Sequence, residues 1–449
     1  MSLGHPQLIN IKPEERKIVF SLVGILAMAT LVLELSDVIA TGGFISKVGP
    51  NNIIWLWVID MIISMFTAGL YAVIVDKTDR QRLVKGLTLG FAILFLFLRF
   101  IFSVHAPDWV SYPILYILTD QFYAIFPLAF WAMVNDLFTS AEAKRIYPII
   151  TMGTAFGSIL GNGLAALSGW ILQRSGGEPA SLLPMGSLVL LFGLVILEIA
   201  FARRTVNARQ ARDTFDFKQT VNVGLDYIRN VPIFTYLAVS MLLSGLAFTV
   251  IEYHFLFSVD QSVSQNPLQF QAFYGTFKIV LIVSTLFVQA LVSSRFLEKL
   301  GLKNSFVVQP VSLAIGSALA LIVPGILGAA GARYLVRLVQ QSWDEPARKS
   351  LENLIPDERR GRVAVMIDRY FYDASTIVGS LVLGLLLFLG TTTLLTQTQI
   401  YFVYLGLAIV ASAVAIWFAL RLRTRYEQSM LDWRLARPRR KSALDGIEF

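Results

Sequence analysis

Ala247-Phe-Thr-Val-Ile-Glu252 places a carboxylate inside a long apolar run, and Ala29-Thr-Leu-Val-Leu-Glu34 does the same near the start of the chain. An ionised side chain at the middle of a hydrocarbon layer costs at least ~2.5–3.5 kcal/mol on insertion scales, so two such residues demand a reason. The glutamates lie 218 residues apart in a chain of 449. The same offset carries Asp60 onto Lys278 and, with a one-residue slip, Asp120 onto Arg337. It also carries the basic turn at Lys77 onto the one at Arg295. Core packing does not explain three ionisable sites repeating at one spacing. The chain reads as two related halves with a charged, functional middle.

Working outward, the composition fixes the class. Hydrophobic residues make up 55% and charged residues 15%, against roughly 25% charged in soluble domains. Apolar runs near the ~20 residues that cross a bilayer recur along the whole chain. Twelve spans are expected: 18–41, 53–75, 84–104, 110–136, 147–171, 181–201, 233–257, 269–293, 305–324, 327–346, 363–389 and 398–420. The expected architecture is an all-α membrane protein, with an N-terminal six-helix half over 1–201 and a linker over 202–232. A C-terminal half over 233–420 and a basic tail over 421–449 complete it.

The absence of cysteine excludes thiol catalysis, disulfide scaffolds and Cys-ligated metal sites. The three histidines, His5, His105 and His254, have no metal-ligand spacing. No P-loop, HExxH or nucleophile elbow occurs. Neither an enzymatic activity, a cofactor nor a metal is therefore expected. The formal charge of +8 points to topology rather than nucleic acid. Most Lys and Arg fall on one set of alternating loops and the tails, while Lys47 and Arg174 lie on the other. That asymmetry places both termini in the cytoplasm of a bacterial inner membrane. The expected partners are the bilayer and a small solute, with the protein a monomer.

The ionisable residues inside spans are the candidate binding residues: Glu34, Asp60, Arg99, Asp120, Glu252, Lys278, Arg333, Arg337, Asp368, Arg369 and Asp373. Asp37 adds a further carboxylate to the first span. Arg333, Arg337 and Gln341 fall at i, i+4 and i+8 with Asp344 close to the same face, which must look into protein or a wet cavity. Asp368, Arg369 and Asp373 read equally well as a local ion pair that lets their span insert. Gly153, Gly157 and Gly161 form a ladder for close helix approach, within one half or as a sliding contact between halves. Arg203–Asn230 and the tail after Arg421 read as basic amphipathic segments at the membrane surface. Matched charges in a pseudo-symmetric bundle are the pattern of secondary transporters, whose site lies between repeats near the midplane.

Residues 130–148 resemble a known family. Phe130-Trp-Ala-Met-Val-Asn135 followed by Glu142-Ala-Lys-Arg-Ile-Tyr-Pro148 is similar to a paired segment of the ATP/ADP translocases of plastids and obligate intracellular bacteria. Val250-Ile-Glu252, Ala272-Phe-Tyr-Gly275, Asp344-Glu-Pro346 and Ile355-Pro-Asp357 are similar to further segments of that family. The resemblance implies a major-facilitator-like fold of twelve helices. The turns Asp76–Arg82 and Arg295–Lys303 also resemble the basic loops of major facilitators. The family's nucleotide-binding lysines in spans one and eleven are absent here, with Tyr372 nearest in span eleven. Glu252 carries over, and Asp120 or Gln121 lies near the family's fourth-span glutamate.

Three functions stay open on the sequence. One is alternating-access transport of a small polar or anionic solute, a nucleotide among the candidates. The second is proton-coupled transport of another solute, with Glu34 and Glu252 as proton carriers; the other roles open to these glutamates are binding a cationic group and pairing with a cation across the gate, for which Lys278 and Arg337 are the candidates. The third is a non-transporting sensor or scaffold that kept the fold.

Overall fold

In the computed structural model the described residues are 11–75, 78–201, 225–226, 228–293, 301–352, 363, 366–391 and 396–436. Their regular elements are all helical, as hydrocarbon requires of a chain whose every backbone N–H and C=O needs an internal partner. The N-terminal half comprises α1 (Pro13–Lys47), α2 (Ile53–Val75), α3 (Arg80–Ser103), α4 (Asp108–Leu137), α5 (Ser140–Ser175) and α6 (Leu183–Phe201). The C-terminal half comprises α7 (Pro232–Ser262), α8 (Pro267–Val288), α9 (Val308–Ile322), α10 (Ile326–Val339), α11 (Phe371–Thr391) and α12 (Gln397–Ala436). Eleven of these are long and apolar enough to cross a membrane. The twelfth, α10, is short and carries Arg333 and Arg337; it continues through a π-helical turn, Gln340–Asp344, into Glu345–Glu352.

The 130–148 motif clamps three helices at the end of the bundle where α1 begins, the near end. Thr139 and Glu142 form a capping box that starts α5: the Thr139 N–H donates to Glu142 Oε2 at 2.9 Å, and the Glu142 N–H returns to Thr139 Oγ1 at 3.5 Å. Arg145 donates to both carboxylate oxygens of Glu15 on α1, each at 2.7 Å. Tyr147 donates to Asn135 Oδ1 at 2.6 Å and packs its ring against Trp131. At the same end Arg80, opening α3, lies 3.5 Å from Asp136, closing α4. The stretch most specific to the family is therefore architectural.

The glycine ladder also has a structural role. A Cβ on Gly153 would lie 2.5 Å from the Val23 carbonyl, and one on Gly157 would lie 2.8 Å from Thr30 Cβ. Both neighbours belong to α1, in the same half, so the ladder is not a contact between halves. The close approaches across the halves belong to other glycines. A Cβ on Gly275 of α8 would lie 2.8 Å from the Asn162 carbonyl of α5, and one on Gly169 of α5 would lie 2.7 Å from the Leu268 carbonyl.

Helix α1 sits at the centre, with Val32, Leu35, Val38 and Ile39 buried. Peripheral α3 and α6 turn Phe97, Phe100, Phe192 and Ile199 outward, an apolar rim of the kind a membrane covers. The halves meet along α2 against α11 and α5 against α8. At the far end Ser46 donates to Asp260 at 3.2 Å and Tyr253 donates to Asn51 at 2.6 Å, each bond crossing between halves.

One expectation needs revision: the basic stretch after Arg421 continues α12 without a break to Ala436 rather than starting a separate surface helix. The remaining tail, most of the linker, Asp76 and Lys77, the Arg295–Lys299 turn and the Ile355-Pro-Asp357 segment lie outside the described residues.

Overpacking a filled interface costs roughly 1–3 kcal/mol. Gly157→Leu is expected to lower the melting temperature of the detergent-purified protein and its monodisperse yield. Gly24→Ala, at a position with no heavy atom within 4 Å of a new Cβ, is expected to leave both unchanged or raised. Thermal unfolding followed by size-exclusion fluorescence decides; equal behaviour of the two variants would contradict the packing role.

Candidate functional site

A cavity of about 410 Å³ opens between the halves. Its wall carries five acidic side chains, Glu34, Asp37, Asp120, Glu252 and Glu345, and five basic ones, Lys278, Arg333, Arg337, Arg348 and Arg369. Aromatic rings fill much of the rest, among them Trp57, Tyr116, Tyr123, Phe248, Tyr274 and Tyr372. Pro127 within α4 removes the backbone donor that the Tyr123 carbonyl would otherwise receive, loosening the helix beside the cavity.

In the C-terminal half, Glu252 of α7 is held by α10. Arg333 donates from Nε to Glu252 Oε2 at 2.9 Å and from Nη2 to Oε1. Its Nη2 also donates to the Tyr274 hydroxyl at 3.0 Å, and its guanidinium lies 4.2 Å from the Phe255 ring centre. With Arg333 only 5% exposed, this is a closed structural pair. Arg337, one turn on, reaches Glu252 Oε2 only at 3.4 Å and lies over the Phe248 ring. Its side chain is 24% exposed, against 6% for Arg333, and it faces the cavity. The expected partner of Glu252, Arg337, is thus second to Arg333.

The N-terminal half shows a different arrangement. Glu34 accepts from Ser158 Oγ at 3.1 Å and Asn162 Nδ2 at 3.0 Å, both on α5. Its third partner is Lys278 of α8, reaching across from the other half. The same ammonium donates to Asp37 at 2.8 Å. Between Lys17 and Lys47 α1 has no cation of its own, and α8 supplies one. Neither Glu34 nor Glu252 stands alone as an unpaired carboxylate.

A second cross-half cluster joins α2, α4 and α11. Arg369 lies 3.7 Å from Asp120 and 3.3 Å from Asp373. It also contacts Ser64, whose hydroxyl donates to Asp373 at 3.0 Å. Gln121 donates to Asp60 at 3.2 Å and accepts from Thr67. Asp60 and Asp373 are fully buried beside the cavity rather than on its wall.

Most of the expected residues converge: Glu34, Asp120, Glu252, Lys278, Arg333, Arg337 and Arg369 line the cavity. Arg99 does not; it is half-buried about one turn before the end of α3, where a long side chain can reach the membrane surface along its apolar stem. The Asp368 side chain lies outside the described residues. Asp344, expected beside Arg337, instead accepts from Arg348 at 2.9 Å. Three wall residues were missed as candidates: Asp37, Glu345 and Arg348. The first carried a signal, since i and i+3 share a helix face and Asp37 follows Glu34 by three.

The comparisons with known proteins follow this geometry. A family model described as TLC ATP/ADP transporter matches residues 44–324. The chain belongs to the TLC ATP/ADP transporter family. A curated relative, ADP,ATP carrier protein 3 of Rickettsia felis, is 23% identical over 230 residues. That match covers 46% of this chain and 45% of the relative, so the chain spans about half the length of that protein. Among solved structures, the nucleoside transporter NupG aligns with a TM-score of 0.65 at 15% identity, covering 91% of this chain and 99% of that one. A POT family transporter in complex with 5-aminolevulinic acid aligns at 0.62 and 11% identity, covering 91% and 96%. These likenesses establish the twelve-helix, two-half transporter fold for this TLC family chain.

Removing one partner of a buried ion pair costs about 3–5 kcal/mol, because the other charge is left without a counterion. Arg333→Met is therefore expected to lose most of its folded yield, whereas Arg337→Ala is expected to purify like the parent. Monodisperse yield and unfolding temperature in detergent check this, and comparable losses in both variants would contradict the division of labour.

Proposed function

We propose that the protein is a secondary transporter that exchanges nucleotides across a bacterial inner membrane by alternating access. The observation that carries this reading is the cavity wall, where basic arms and aromatic faces meet between two halves. Phosphates take charge-assisted hydrogen bonds from guanidinium and ammonium groups, and a base needs flat apolar surface. Arg337 and Lys278 are the arms best placed to turn toward a ligand. The Rickettsia relative's description as an ADP,ATP carrier supports the substrate class.

The carboxylates Glu34, Asp37 and Glu252 hold the basic arms Lys278 and Arg337. An arriving polyanion competes with them, and Lys278 is the arm whose release would also loosen the halves. The charge asymmetry of the loops places both termini, and so the near end, in the cytoplasm. The bonds Ser46–Asp260 and Tyr253–Asn51 then close the outer side, and the cavity faces inward.

Proteoliposomes loaded with ADP are expected to take up labelled ATP, and empty ones to take up far less. A hydrogen bond to a charged group contributes ~1.5–3 kcal/mol, so Arg337→Ala should weaken ATP retention or uptake about ten- to a hundredfold. No ATP uptake into ADP-loaded vesicles by the parent protein would overturn the substrate. Reporter fusions test the orientation: Asn207 should report the cytoplasm and Asp260 the outside.

A further inference from the structure

We infer that Asp60 and Asp120 share a single proton and form a coupling site separate from the nucleotide cavity's basic arms. This rests on the transport reading above and adds a driving ion to it. Glu34 and Glu252, the carboxylates that stand out in sequence, already hold cations, so a carried proton belongs elsewhere.

The Asp60 and Asp120 carboxyls lie within hydrogen-bonding reach of each other. Asp60 is fully buried, and one oxygen of each residue has no hydrogen-bond donor among the described residues. Two carboxyl groups in such contact cannot both be ionised; one proton between them turns repulsion into a hydrogen bond. The surroundings agree by charge. From the π-helical turn Met366–Tyr370 that leads into α11, Arg369 is the cation that faces the pair; from α11 itself Asp373 brings a third carboxyl, with the Tyr370 and Tyr372 hydroxyls nearby. From α1, Asp37 adds a carboxylate that Lys278 holds. From α4, Tyr116 and Gln121 are neutral, as is Ser64 on α2. Arg369 pairs with Asp120 and Asp373, and among the described residues no cation pairs with Asp60, so a bound proton removes the excess negative charge.

A proton fits better than a metal cation. Among the described residues no three acidic or histidine side chains converge as ligands of one ion, and Asp60 and Asp373 are packed without solvent access. The placement also explains coupling. Asp60 and Asp120 belong to the N-terminal half, whereas Arg369 and Asp373 belong to the other. Asp120 and Arg369 are also on the cavity wall. With the proton on the pair, Asp120 holds Arg369 weakly, and the α2–α11 seam can part. When the proton leaves, the two carboxylates repel and part, and Asp120 turns from Asp60 to Arg369, tightening the seam.

Two readouts on the full-length protein in liposomes test this. Infrared spectra without solute should show a protonated-carboxyl stretch at neutral pH that shifts in D2O. Asp60→Asn and Asp120→Asn should each abolish it, and Asp373→Asn should keep it. Absence of the band in the parent, or its survival in Asp60→Asn or Asp120→Asn, would overturn the proposal even if a variant folds poorly. This readout does not depend on nucleotide transport, so failure of ATP uptake alone sinks only the substrate reading. In vesicles, an inward proton gradient should raise labelled-ATP uptake several-fold over counterflow at equal pH, and in Asp60→Asn that ratio should fall to one. A parent ratio that follows a sodium gradient and ignores the proton gradient would overturn the proposal as well.

Discussion

A charge inside a hydrocarbon layer must keep its counterion, and in this chain the counterion often sits in the other half of the molecule. Lys278 of α8 is held by Glu34 and Asp37 of α1, and Arg369, in the turn before α11, faces Asp120 of α4. Desolvation of either partner alone is expensive, so these pairs tie the closing of the halves to the electrostatics of the cavity. Apolar packing, by contrast, is much the same whether a side chain meets protein or lipid. The rigid bodies are fixed by close backbone approach, as where Gly153 and Gly157 lie on α1. Across the halves these ion pairs act beside the close approaches of Gly169 and Gly275, and anything that competes for the charges moves the balance.

The two halves use the repeated glutamate differently. Glu252 is locked by Arg333 within its own half, under three aromatic rings. Glu34 is cradled by Ser158 and Asn162, and its cation comes from across the cavity. Residues at matched positions in the two halves thus take their cations differently, Glu252 from within its own half and Glu34 from across the cavity. The asymmetry suits a carrier whose halves must part, because one side of the charge network stays intact while the other exchanges partners.

Much of this was legible in the sequence. Hydropathy and loop charge gave the spans, since the bilayer imposes length and polarity residue by residue. The 218-residue spacing matched Glu34 with Glu252 and Asp60 with Lys278. Partner identity was not legible, because it depends on helix rotation and on contacts such as Lys278 with Asp37, 241 positions apart. Arg99 misled because a lone cation in an apolar run looks the same in a list whether it faces a cavity or reaches along its stem toward water. Arg348 and Glu345 escaped notice because they follow an irregular turn, beyond which a straight-helix projection no longer holds.

That turn, Gln340–Asp344, has a consequence for how the cavity wall was assembled. A π-helical turn is equivalent to one residue inserted into an α-helix, and one residue is worth about 100° of rotation at 3.6 residues per turn. Everything before it keeps the face set by Arg333 and Arg337. Everything after it is swung round, which brings Glu345 and Arg348 onto the wall and leaves Asp344 off it. A one-codon change in length could therefore have recruited a fifth cation to the cavity without altering a single side chain, a route to new ligand chemistry that a count of substitutions would not register.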